Sequence, residues 1–140
     1  MATDFKDKHA PDSRVDPELE QALKRVSVKG ALPCAVAYAL SRESEYSMGD
    51  LGRASDLLGM RLAKCQMGLF GYQPNKKIVK PATIVAPELE TAIKGQVKDG
   101  RIPCIACWNI AKDLEISKMS VSAACETLGI KIKPCQLGAF

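Results

Sequence analysis

The chain has 140 residues, 46% of them hydrophobic and 26% charged, with a formal net charge of +4. That composition excludes general disorder, and the length suits one ordinary domain or two very small ones. The best apolar run, Ala31 to Leu40, is ten residues long and contains Pro33, well short of the roughly 18 that cross a membrane.

Residues 1–16 form a polar tail that holds His9, the single histidine. Its start, Met-Ala-Thr-Asp-Phe-Lys-Asp, lacks the apolar stretch of a secretory signal, so a cytoplasmic protein is expected. A first helix is predicted from Pro17. Asp16 suits the N-cap, Pro17 the first helical position, and Glu18 and Glu20 the positive end of the dipole. Leu19, Ala22, Leu23 and Val26 recur at helical spacing, and Gly30 stops the run. A second helix is predicted from Pro33, with Leu32, Val36 and Leu40 on one face. The third starts at Ser47, where Asp50 completes a capping box and Tyr46 and Leu51 occupy the positions of a hydrophobic staple. Leu58-Gly59 ends it. Met60-Arg61-Leu62 then reads as a short strand, with a further strand or hairpin around Cys65-Gln66-Met67-Gly68.

A basic linker, residues 71–86, follows. Lys76, Lys77 and Lys80 give it +3 with no acid, whereas 1–16 carries −1 and the segments on either side of the linker +1 each. Beyond it the pattern returns. Sliding the chain by 70 residues aligns 17–70 with 87–140 without a gap, at 18 identities in 54 positions. Pro87 opens the first helix of this copy, Pro103 the second and Ser117 the third. Ile130-Lys131-Ile132-Lys133 alternates as a strand does. The expected fold is therefore mainly α: tandem duplicated three-helix units, 17–70 and 87–140, each with a short strand or hairpin wing. A unit this small buries only about 60% of its unfolded surface. The copies could pack about a pseudo-two-fold axis or stand as two beads on a string.

In the second copy, Ile110-Ala111, then Leu114-Glu115-Ile116-Ser117, then Val121 and Ala124 resemble the helix-turn-helix of DNA-binding regulators. The following strand makes the resemblance one to winged-helix proteins. Glu115 stands where that family prefers glycine, and the first copy departs further, with Ser41, Ser44 and Glu45 at matching positions. The resemblance implies a third helix in the major groove. Its exposed positions would be Ser117, Lys118, Met119, Ser122, Ala123 and Glu126 in the second copy. In the first they would be Ser47, Met48, Gly49, Gly52, Arg53 and Asp56. Only Lys118 and Arg53 are of the types that make most base contacts. The expected DNA-binding residues are Arg53, Arg61, Lys64, Ser117, Lys118, Lys131 and Lys133, with the strand cations on phosphates. The implied function is a DNA-binding, transcription-regulatory protein. The alternative is a non-enzymatic protein-interaction module that keeps the fold without binding DNA.

Six cysteines in a cytoplasmic chain read as thiols. Cys107 and Cys125 stand opposite Ala37 and Ser55 of the first copy, which favours a packing role. Two sharper readings stay open: a redox Cys104-x-x-Cys107 at a helix start, and a metal held by Cys34, Cys65, Cys104 and Cys135. No arrangement of nucleophile and base stands out, so no enzyme and no cofactor are expected. The expected partners are double-stranded DNA or, in the alternative, a protein, and no membrane.

Overall fold

A computed structural model describes residues 14–72 and 77–139. His9 and Lys76 lie outside the described residues. The chain divides into two compact units, Met1–Cys65 with Leu137–Ala139 and Gln66–Gln136 with Phe140. The molecule is mainly helical, with short strands, and among the described residues no helix is long and apolar enough to cross a membrane.

Unit 1 begins with helix α1, Pro17–Val26, which buries Leu19 and Leu23. Asp16 caps it, accepting a hydrogen bond from the Glu18 amide at 3.1 Å. The other carboxylate oxygen of Asp16 accepts from the Tyr46 hydroxyl at 2.9 Å. That hydrogen bond holds the phenol pKa above its ordinary value and ties the start of α1 to the chain just before the third helix. After α1 the backbone reverses in two residues. Val28 and Ala31 exchange both backbone hydrogen bonds, at 2.8 and 3.0 Å. Lys29 (φ 52) and Gly30 (φ 75) are both left-handed, the pattern of a type I′ turn. Gly30 is thus the centre of a turn rather than a helix stop.

Strand β1, Ala31–Pro33, leads straight into α2, Cys34–Glu43. Pro33 is the N-cap of α2, one residue before the position expected for it. The buried residues of α2 are Cys34, Ala37 and Leu40, while Val36 is half-buried. Helix α3, Met48–Leu57, carries the complete capping box: the Asp50 amide donates to Ser47 Oγ at 3.0 Å, and the Ser47 amide to Asp50 Oδ2 at 2.9 Å. Strand β2, Arg61–Ala63, then pairs with β1 in parallel, Ala31 opposite Arg61 and Leu32 opposite Leu62.

Of the expected short strand or hairpin, the strand forms, and it pairs in parallel with β1 rather than in a hairpin. A parallel pair needs a crossover rather than a tight turn, and α2–α3 is that crossover. Leu32, expected on the face of a helix, lies in β1 and is completely buried.

Unit 2 has the same order of elements: α4 (Pro87–Lys94), β3 (Arg101–Ile102), α5 (Cys104–Asp113), α6 (Lys118–Leu128) and β4 (Lys131–Ile132). Lys98 and Arg101 form the bridge that Val28 and Ala31 form in unit 1, around left-handed Asp99 and Gly100. β3 pairs with β4 in parallel, Arg101 opposite Lys131 and Ile102 opposite Ile132. Ser117 caps α6, accepting from the Ser120 amide at 3.0 Å, and Gly129 ends it in the left-handed conformation. The core of this unit gathers Ile93, Ile102, Cys107 and Val121, all completely buried.

Asp16→Ala removes the cap of α1 and is expected to cost about 1 kcal/mol in urea unfolding. Tyr46→Phe leaves the cap in place and should cost less. Equal losses in the two variants would show that the cap contributes nothing.

Candidate nucleic-acid interface

A helix-turn-helix reads bases with the exposed face of its third helix. In unit 1 that face is covered in part: Ser47 and Gly49 are exposed and Met48 is half-buried. Gly52 is buried, and a methyl group built on its Cα would fall on the carbonyl of Leu137. Leu137 itself is only 2% exposed. Asp56, one turn on, is 4% exposed. Gly52 and Asp56 were expected at the surface and both are buried, Gly52 under the backbone of Leu137. Arg53 remains exposed.

The same holds for α6 in unit 2. Ser122, expected to face DNA, is fully buried. Gly68 lies against Met119 and Val79, and its carbonyl accepts from the amides of Ile78 and Val79 at 2.8 and 3.1 Å. Further along, the Ala82 amide donates to the Ala123 carbonyl at 3.0 Å, and Thr127 Oγ1 donates to the Ala82 carbonyl at 2.6 Å. Lys77 pairs with Glu126 at 2.6 Å. The segment around 66–68 and 77–82 therefore occupies the surface that base readout needs.

The two predicted contacts at the start of α6 are engaged inside the unit. Ser117 is exposed, but its hydroxyl is shared with Ser120, 2.8 Å between oxygens. Lys118 is half-buried. Its ammonium lies 3.8 Å from the centre of the Trp108 ring and donates to Gln66 Oε1 at 2.9 Å, at the edge of a shallow cleft of about 450 Å³. A cation held over a ring by a second partner is not a free reader of guanine. One feature of the turn does fit the resemblance. Glu115 has φ 56, the left-handed conformation that glycine adopts most readily.

The strand cations are placed differently. Arg61 is exposed on β2, and Lys64 just after it is exposed with φ 48. Lys131 and Lys133 are exposed on either side of the buried Ile132. Sequence reasoning missed their neighbours Lys98 and Arg101, which the turn and the β3–β4 register bring alongside. The signal was present in Asp99-Gly100, a dipeptide typical of two-residue hairpins.

None of the six cysteines is in a disulfide; five are buried and Cys135 is half-buried. Cys107 and Cys125 hydrogen-bond to each other, which, together with burial, pushes the Cys107 thiol far above its usual range. A thiol so held stays protonated and packs as a small apolar group. Among the described residues no group of three or more cysteine, histidine or acidic side chains is arranged to hold a metal ion. No protein-family model matches the chain, and neither a curated protein nor a solved structure matches it.

Two glycines of α3, Gly49 exposed and Gly52 buried, test the placement of Leu137. Beside Gly49 only Ser47 Oγ lies near, at 3.7 Å from an added methyl, so Gly49→Ala is expected to stabilise unit 1 by up to about 1 kcal/mol through helix propensity. Gly52→Ala forces the methyl into backbone and should destabilise by about 1–3 kcal/mol. Urea unfolding of the two variants that moved in the same direction would contradict the placement of Leu137.

Proposed function

We propose that the chain is a DNA-binding, transcription-regulatory protein built from two tandem helix-turn-helix-like three-helix units, and that it holds duplex DNA by its phosphates. The repeat of 70 residues, the shared order of elements and the left-handed Glu115 support the helix-turn-helix reading of the units. The regulatory role rests on the resemblance. The observation that carries DNA binding is the set of exposed cations at the strands, Arg61, Lys64, Lys131 and Lys133, for which no ion pair occurs among the described residues. Cations without internal partners release counterions from DNA at full effect.

A second reading, the protein-interaction module, has its own observation. Ile84 is 85% exposed and Val28 56% exposed, and apolar side chains in water suit a protein partner.

Salt dependence separates the two. Binding to bulk duplex DNA should weaken steeply as salt rises. Lys131→Gln with Lys133→Gln should flatten the slope of log K against log salt by roughly two units, at about 0.9 per phosphate contact. An unchanged slope would take these strands off the phosphates. Absence of binding even at low salt would leave the interaction module as the reading.

A further inference from the structure

We propose that the phosphate contacts are made by one face of the β3–β4 ribbon of unit 2, where Lys98 and Arg101 join Lys131 and Lys133, and that the matching ribbon of unit 1 is not a second half-site. The inference rests on the DNA-binding reading above and narrows it to one unit and two residues not otherwise assigned.

The pairing fixes the face. Arg101 and Lys131 are register partners in the parallel ladder, and partners carry their side chains on the same side of a sheet. Lys133 follows Lys131 by two residues, and so returns to that side. Lys98 is bridged to Arg101 across the two-residue turn, with backbone hydrogen bonds of 2.8 and 3.1 Å. All four are exposed, whereas Ile102 and Ile132 between them are buried. Strands are about 4.8 Å apart and alternate residues about 6.6 Å apart, so four positive charges share a patch roughly 10 Å across. Like charges directly opposite one another destabilise a sheet. The ribbon nevertheless carries them with no carboxylate at ion-pair distance among the described residues. Asp99, in the turn itself, pairs with none of them. Duplex DNA, with one negative charge per about 1.7 Å, is the complement of such a patch.

Unit 1 has the same backbone with different side chains. Val28, Ala31, Arg61 and Ala63 stand at the positions of Lys98, Arg101, Lys131 and Lys133, with Arg61 the one cation among them. Lys29 and Lys64 are close in sequence but occupy left-handed positions outside the paired residues.

The test is fluorescence anisotropy of the full chain with a mixed-sequence duplex over a range of salt. Lys98→Gln with Arg101→Gln is expected to lower the salt slope by about two units. The charge-preserving Lys98→Arg with Arg101→Lys should retain the slope, and Arg61→Gln with Lys64→Gln should change it by less than about one unit. Binding by the wild type with a slope unmoved by Lys98→Gln/Arg101→Gln overturns this inference and leaves the DNA-binding reading standing. So does an equal loss from Arg61→Gln/Lys64→Gln. A wild type that does not bind duplex at low salt overturns the DNA-binding reading itself, and this inference with it.

Discussion

The close approach of the Leu137 backbone to Gly52 governs what the rest of the molecule can do. A carbonyl group can lie on a helix at that distance only where the helix has no Cβ. Glycine inside a helix costs about 1 kcal/mol relative to alanine, so its place in α3 is explained by packing rather than by propensity. Once the position is filled, Gly52 and Asp56 are lost from the surface of the third helix of unit 1, and of the positions expected to read bases only Ser47, Gly49 and Arg53 stay exposed. In unit 2 the side chain at the matching position is Ser122, fully buried, and the segments around Gly68 and Ala82 lie against Met119 and Ala123 of the same helix. Both third helices are therefore packing elements.

The DNA-binding proposal therefore rests on the strands and not on the third helices. Each strand pair is short, but it is fixed at both ends, by a left-handed two-residue turn on one side and by the crossover of two helices on the other. The buried residues Leu32, Ile102 and Ile132 hold one side of each ladder in its core. What the other side displays is then free to differ between the units. The turn and the pairing are kept, while Val28 and Ala31 of unit 1 stand where unit 2 has Lys98 and Arg101. The same order of elements thus carries different charge in the two units, on which the proposed difference in their roles rests.

Much of the fold was legible because its signals are local. Asp16-Pro17 and Ser47-x-x-Asp50 are caps, and each sits at the start of a helix with its hydrogen bonds formed. Leu128-Gly129 ended a helix for the reason that glycine tolerates φ 69. The strand at Leu32 was not legible, because a run of three residues has no period, and Pro33 pointed instead to a helix start. The parallel pairing of β1 with β2 is a contact between residues about thirty positions apart, and local pattern carries no trace of it. The cover on α3 and α6 was hidden for the same reason. Helical periodicity marks which residues could face outward, and only the tertiary contacts of Gly52 and Ser122 show that they do not. For the candidate site, the strand lysines were found from alternation, whereas Lys98 and Arg101 needed the turn at Asp99-Gly100 to be recognised as a hairpin.

The central claim is that DNA is held by its backbone and not by the bases of the major groove. Chemical interference on a bound duplex tests it most directly, since ethylated phosphates and N7-methylated guanines report on the two kinds of contact separately. The account predicts that phosphate ethylation blocks binding while guanine N7 methylation leaves it intact. Loss of binding on N7 methylation would contradict it, because a third helix would then have to be lying in the major groove.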